Sequence, residues 1–352
     1  MSKYRLEEYG WRPPPKDQRE WLGQRNPSLW IDHKDRILVS YTARESAALA
    51  SREHPGLGFH ILRLAPEGKV ELSLSLPAIS YLNGIYLGAR DQLIARASDF
   101  LQILPDNTSS GKSISDWQLL TPCPKDCIIS YSFTRRTLVL AIPKKPFDHE
   151  HQTYTIVDTS GAPSRVVENC SQMAFYARKI SDKFAYWNGS EGHEPFTRRF
   201  PFCDLDHAEE LPLGWMGALY VLNDNTFLTL GIDYKNSRGN VGLVGADGGP
   251  RFRQELPKNQ VPLYFAGPGV TSDELGRRFA FVLGTFRGGA RSFDASGKLV
   301  ARRIVVYSET GKELVSVSVS TTFHPEFDFS LSPDGHLLAV LDNGILTLIH
   351  LD

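Results

Sequence analysis

The stretch Phe327-Asp-Phe-Ser-Leu-Ser-Pro-Asp-Gly-His-Leu-Leu-Ala-Val-Leu-Asp-Asn-Gly-Ile-Leu-Thr-Leu-Ile-His-Leu-Asp352 decides the fold. It holds three short apolar runs separated by Ser332-Pro-Asp-Gly-His and by Asp342-Asn-Gly. Apolar, β-branched-rich runs of this length, bounded by Gly, Asn, Asp and Pro, read as antiparallel strands joined by tight turns. Three strands meet no partner within this stretch for the outermost of them. That question governs the reading of the rest of the chain.

Working backwards, a strand, a Gly-containing turn and a second strand recur. Copies are Ile61-Leu-Arg-Leu-Ala-Pro-Glu-Gly-Lys-Val-Glu-Leu, Tyr154-Thr-Ile-Val-Asp-Thr-Ser-Gly, Val241-Gly-Leu-Val-Gly-Ala-Asp-Gly and Ile304-Val-Val-Tyr-Ser-Glu-Thr-Gly. Weaker copies start at Leu101 and Phe202. With Gly68, Gly111, Gly161, Asp206, Gly248 and Gly311 as markers, the steps are 43, 50, 45, 42 and 63 residues. Four of the five match the ~40–50 residues of one four-stranded propeller blade. The long step holds an insertion running from Phe286. A second strand pair precedes each marker, for example Gly84-Ile-Tyr-Leu-Gly with Gln92-Leu-Ile-Ala-Arg, or Ala174-Phe-Tyr-Ala with Lys183-Phe-Ala-Tyr-Trp.

The expected fold is therefore all-β, a seven-bladed β-propeller of four-stranded antiparallel blades. Its expected organisation is one domain over 1–352. The N-terminal arm is 1–26, and the blades are 27–80, 81–124, 125–171, 172–216, 217–261, 262–325 and 326–352. The Ser332-Pro-Asp-Gly-His turn between two apolar strands resembles the repeats of WD40-like and other bacterial seven-bladed propellers. The Gly-His and Trp-Asp signatures of WD40 proper are missing, and outside this segment the resemblance is a degenerate pattern. As a whole the chain also resembles a group of bacterial propeller proteins, which implies the fold and no activity.

A seventh blade of three strands would expose a sheet edge, and closure removes edges. The missing outer strand is expected from Lys3-Tyr-Arg-Leu-Glu-Glu-Tyr, paired with Ile345 to Leu351. The competing reading is a disordered tail beside an incomplete blade.

Composition bounds function. The 352 residues carry 39 basic and 40 acidic side chains, a net charge of -1, with 41% hydrophobic residues. That balance argues against nucleic acid or an anionic membrane as a partner held by bulk charge. No apolar run reaches the ~20 residues of a membrane-spanning helix, and the first residues lack the apolar core of a signal peptide. We expect a monomer, cytoplasmic if Met1 is the native start and periplasmic or secreted if a signal was removed. Cys123, Cys127, Cys170 and Cys203 fit no paired zinc or redox spacing. They read as buried free thiols, or as containing a disulfide, for which Cys123 with Cys170 is the pair of interest, both near adjacent blade crossings.

With strands A to D per blade, antiparallel geometry puts A–B and C–D turns on one face, and B–C loops and D–A crossings on the other. The B–C loops read as long: Ala43–Gly58, Pro143–Gln152, Asn188–Thr197, Asp233–Asn240 and Phe286–Arg302. Blade six alone reads as having a long A–B turn, Gly267–Arg277. Elaboration gathered on one face marks a binding side. The candidate binding residues there are Arg44, Arg52, His54, His149, His151, His193, Tyr234, Arg238, Arg287 and Arg291. No catalytic residue, metal site or cofactor is indicated. His149 and His151 form an HxH without a third ligand at metal spacing, and nucleophile-elbow and P-loop motifs are absent. The boxes of sialidase propellers and the repeats of quinone-cofactor propellers do not occur either. The expected function is a non-catalytic binding or scaffold propeller, presenting its long-loop face to a protein or a small polar ligand. The alternative is a hydrolase or lyase with acids and histidines at the central channel mouth.

Overall fold

A computed structural model describes residues 1–9, 29–44, 57–77, 85–97, 99–104, 117–124, 127–145, 152–161, 164–171, 179–191, 194–213, 218–233, 235–263, 269–288, 298–321 and 328–352. Seven antiparallel sheets form blades, with strands A to D running outward from the central channel. Blade 1 is Leu29–Ile31, Ile37–Arg44, Leu57–Leu64 and Val70–Pro77; blade 2 is Ile85–Leu87, Leu93–Ala97, Phe100–Leu104 and Gln118–Pro122. Blade 3 is Ile128–Tyr131, Thr137–Pro143, Gln152–Asp158 and Arg165–Cys170; blade 4 is Lys179–Ile180, Phe184–Glu191, Glu194–Pro201 and Glu209–Leu211. Blade 5 is Ala218–Asn223, Thr226–Asp233, Arg238–Gly245 and Pro250–Glu255; blade 6 is Val270–Ser272, Arg278–Arg287, Lys298–Ser308 and Glu313–Val319. Blade 7 is Phe329–Leu331, Leu337–Asp342, Ile345–His350 and, as its outer strand, Ser2–Arg5. The closure is thus as expected, with Ser2 opposite Leu348 and Arg5 opposite Ile345. Leu6 then donates its amide to the Gly344 carbonyl at 2.9 Å and buries its side chain.

The B strands explain why the repeat reads as unbroken apolar runs. Successive side chains of a strand point to opposite faces, and both faces of a blade are covered by neighbours. In blade 1, Ile37 and Val39 pack towards blade 7 while Leu38 packs towards blade 2. In blade 6, Phe279, Phe281 and Leu283 face blade 5, and Ala280 and Val282 face blade 7. Among the described residues the core divides into seven apolar clusters, one at each blade junction.

One contact recurs at the rim. A residue of one blade's outer strand, or just past its end, meets the next blade's C–D turn. The turn's residue of left-handed backbone sits against it. Gly68 (φ 87°) meets Tyr4 of the closing strand, Gly248 (φ 77°) meets Pro212, and Gly311 (φ 82°) meets Phe252. A Cβ at these positions would lie 2.3, 2.7 and 2.9 Å from the neighbour, closer than any such contact allows. At Gly68, Gly248 and Gly311 glycine is required for two reasons, backbone conformation and the neighbouring blade. Between blades 3 and 4 the same contact is covalent. Cys170 ends the outer strand of blade 3 and Cys203 (φ 61°) is the left-handed residue of the blade 4 turn, and the two form a disulfide with Cα atoms 5.7 Å apart. This corrects the pairing expected from sequence: Cys123 and Cys127 are free and buried. Proximity of neighbouring crossings does not bring Cys123 to Cys170, because an outer strand end faces the next blade's turn.

Three further expectations are corrected. The inner strand of blade 6 is Val270–Ser272, so its A–B turn is the ordinary short one, and Gln260–Pro262 adds a separate stretch of pairing along the other end of strand B. The inner strand of blade 4 is Lys179–Ile180, whereas 174–177 lie outside the described residues. Asn188–Thr197 is mostly a paired ladder, with Glu191 opposite Glu194.

Candidate functional site

Five of the A–B turns, those of blades 1, 2, 3, 6 and 7, share one construction. In Asp32-His-Lys-Asp-Arg, Gly88-Ala-Arg-Asp-Gln, Ser132-Phe-Thr-Arg-Arg, Asp273-Glu-Leu-Gly-Arg and Ser332-Pro-Asp-Gly-His, the fourth residue donates its amide to the first residue's carbonyl. That fourth residue, Asp35, Asp91, Arg135, Gly276 or Gly335, has positive φ. An Asp or Ser in first place caps the turn: the Asp273 carboxylate accepts from the Arg277 amide at 2.7 Å, and Ser332 Oγ accepts from the Leu337 amide at 2.9 Å. Capping of this kind is what Asp and Ser offer a turn. The regularity brings the turns together round one mouth of the channel.

Polar ties there link every neighbouring pair of blades. His33 donates its amide and Nδ1–H to Asp91 Oδ1 (3.1 and 2.8 Å). The Ala89 amide donates to Thr159 Oγ1 at 3.1 Å, and Thr134 Oγ1–H donates to Asp182. Arg199 donates to the Asp224 carbonyl at 3.3 Å, and Asn223 Nδ2–H to the Leu275 carbonyl at 3.1 Å. The Glu274 amide donates to the Pro333 carbonyl at 2.9 Å, and His336 Nε2 meets Asp35 Oδ2 at 3.2 Å. One tie skips a blade, from His33 Nε2 on blade 1 to Glu274 Oε2 on blade 6, at 3.2 Å.

These contacts fix charge. The hydrogen bond to Asp91, then that to Glu274, pushes His33 up to about 10, against the opposing effect of burial. Burial raises Asp91, but the bonds from the His33 ring and amide, with the charges of His33 and Arg135, outweigh it and hold Asp91 below the usual range. Burial lowers His336, and Asp334 and Asp35 more than restore it, for a net rise. A histidine with both nitrogens donating to carboxylates is an imidazolium with no lone pair to accept a proton. Chemically the belt is a set of fixed charges.

The inner strands of blades 1 to 3 join through an aromatic cluster. Trp30 and Tyr131 have ring centroids 5.1 Å apart, Tyr86 and Tyr131 5.7 Å, and Trp30 donates Nε1–H to the Ile85 carbonyl at 2.9 Å. The Arg135 guanidinium carbon lies 5.9 Å from the Trp30 ring. Phe133 on blade 3 reaches the apolar cluster between blades 5 and 6.

Of the residues singled out from sequence, the three that are described lie on the opposite face. Arg238 opens strand C of blade 5 and pairs with Glu255 at 2.7 Å; Arg287 ends strand B of blade 6 and is exposed; Arg44 ends strand B of blade 1. Arg52, His54, His149, His151, His193, Tyr234 and Arg291 lie outside the described residues. Sequence reasoning missed the belt. The signal was present, since the Ser332 turn aligns residue by residue with the turns at Asp32, Ser132 and Asp273, and puts His33, Phe133 and Glu274 in one place. On the loop face, strands B and C of blade 6 run on to Arg287 opposite Lys298. They make the longest hairpin described, with Arg287, Lys298 and Val300 exposed near its end.

No family model matches the sequence, and no curated protein matches it. Among solved structures, the chain is similar to the β-propeller domain of the Trilobed protease from Pyrococcus furiosus, at 11% identity over 89% of this chain and 90% of that one, with a TM-score of 0.51. That domain is described as having an open velcro topology, whereas here Ser2–Arg5 pairs with Ile345–His350. The WD40 domain of Toxoplasma gondii coronin is 12% identical over 94% of this chain and 82% of that one, with a TM-score of 0.46. At such identities the likeness concerns fold alone. Among the described residues no helix is long and apolar enough to cross a membrane. The chain is a seven-bladed β-propeller of four-stranded antiparallel blades, sealed by its N-terminal strand.

Proposed function

We propose that this propeller is a non-catalytic scaffold that docks a partner protein on its B–C-loop face. The supporting observation is the blade 6 hairpin, whose strands of ten and eleven residues outrun the other B and C strands. At ~3.3 Å per residue, two or three additional residues carry it on the order of 10 Å further. Its exposed Arg287 and Lys298, with Lys144 and Lys145 exposed at the same face, suit an acidic partner surface. The belt at the other mouth supports the non-catalytic part of the reading, because both ring nitrogens of His33 and of His336 already face carboxylates of the protein itself.

The test is capture of partners by the full chain, compared between Arg287→Glu/Lys298→Glu and a control, Lys312→Glu, in the C–D turn of the same blade. Loss of the captured protein with the double variant, and retention with the control, is the expected result. The reverse pattern, or capture of a small polar ligand insensitive to both, overturns it.

A further inference from the structure

The A–B turns of blades 2, 3 and 4 carry an arc of cations. Arg90 stands in the first turn, Arg135 and Arg136 in the second, and Lys183 in the third. Arg90, Arg136 and Lys183 are exposed, and Arg135 behind them is 4% exposed. Hydrogen bonds fix the three turns to one another. Thr159 Oγ1 accepts from the Ala89 amide at 3.1 Å and donates to the Arg136 carbonyl at 3.0 Å, which clamps blade 2 to blade 3. Thr134 donates to the Asp182 carboxylate, and Thr137 to the Asp182 carbonyl at 3.3 Å, which ties blade 3 to blade 4. The Arg90 amide donates to Gln92 Oε1 at 2.9 Å. The arc is thus carried on a preset backbone.

On the other side of the same mouth, charges meet in pairs. Arg36 pairs with Asp32 at 2.6 Å, His33 lies between Asp91 and Glu274, and His336 between Asp334 and Asp35. The four cations of the arc form no ion pair among the described residues. The acids in their own turns are Asp91, bonded to His33, and Asp182, bonded to Thr134. Four cations therefore face the single carboxylate of Asp182, since His33 already balances Asp91. The Arg135 guanidinium lies 5.9 Å from the Trp30 ring, and its Nη1 is buried without a hydrogen-bond partner. A guanidinium offers five donors in a fixed fork, and leaving them unmet in the interior is costly. An anion seated among Arg90, Arg136 and Lys183, with Arg135 beneath, meets them.

We propose that this arc is a binding site for a small molecule carrying two or more phosphate groups. Charge decides the class. A carboxylate brings a single negative charge, whereas a phosphate group brings about 1.5 to 2 at neutral pH, so two of them match the arc. Arginine forks take phosphate oxygens in pairs, and Lys183 adds a point charge on a flexible stem. Arg135 turns its fork to the ligand by a change of rotamer, a common adjustment on binding. The site lies on the face opposite the blade 6 hairpin, so it stands or falls independently of the docking proposed there.

The experiment titrates the full chain with inorganic pyrophosphate, and separately with citrate as a carboxylate probe, by calorimetry at low salt. Lysine acylation with and without pyrophosphate, mapped by mass spectrometry, locates the site. Expected are one saturable pyrophosphate site, citrate binding at least about tenfold weaker, and slower acylation of Lys183 but not of Lys312 in the C–D turn of blade 6. Arg136→Glu/Lys183→Glu changes two exposed residues and should weaken pyrophosphate at least about tenfold, while Lys312→Glu leaves it unchanged. Three results overturn the proposal: no saturable site on the unaltered chain, citrate bound as tightly as pyrophosphate, or full affinity in the double variant.

Discussion

The ring of Tyr4 lies where a Cβ on Gly68 would sit, 2.3 Å from its Cε1, and the Tyr4 hydroxyl donates to the Pro66 carbonyl at 2.7 Å. Tyr9 adds a bond to the Gly68 carbonyl at 3.0 Å. The N-terminal strand thus does more than complete blade 7: it supplies to blade 1 the rim contact that Pro212 and Phe252 supply to blades 5 and 6.

Gly68→Ala should destabilise the protein by about 1–3 kcal/mol, from the left-handed backbone alone, and further through displacement of Tyr4. Removing residues 1–9 should lower the melting temperature and unpair Ile345–His350. Thermal melts of both, with amide exchange along 345–350, check this. An unchanged melt for the truncated chain would sink the closing role.

His33→Gln should lower stability in a pH-dependent way. Folding raises His33 to about 10, so its contribution is complete below its unfolded value near 6.5 and is lost as pH rises towards 10. Asp91 is depressed, so its share is present above about 3.9 and lost as pH falls through its folded value. The gap between wild type and His33→Gln should be widest between about pH 4 and 6.5 and closed above about 10. Urea titrations across pH measure it; a gap that widens in alkali contradicts the assignment.

Replacing Cys170 and Cys203 by alanine should cost about 2–4 kcal/mol, the usual effect of a disulfide closing a loop of this order, here 33 residues in sequence separation. Denaturant midpoints of this variant, compared with a Cys123→Ala/Cys127→Ala control, isolate the bridge. Equal midpoints with and without Cys170 and Cys203 would show that the rim contact holds without it.

Partner capture that depends on Arg287 and Lys298 should weaken with salt, because exposed charges are screened within ~8 Å at physiological ionic strength. Binding measured from low to high salt should fall for the wild type and be weak and flat for the doubly reversed chain. Salt-insensitive capture would remove charge from the docking argument.

The repeat was legible because its cause is local. A strand buried on both faces must be apolar at successive positions, as in Ile37-Leu38-Val39, and its turns must hold residues such as Gly68 and Gly335 that accept positive φ. Ring closure was expected from Lys3–Tyr9, and the structure pairs Ser2–Arg5 with Ile345–His350, because an uncovered strand edge is unfavourable. The sequence by itself therefore determined blades, number and seam. What only tertiary structure decided is which distant residues meet: Cys170 with Cys203, His33 with Glu274 across a skipped blade, Arg96 with the Pro124 and Cys127 carbonyls. Strand alternation specifies which way a side chain faces within its own sheet. The twist of each blade and its rotation about the axis set what stands opposite, and neither is written in the spacing of residues along the chain.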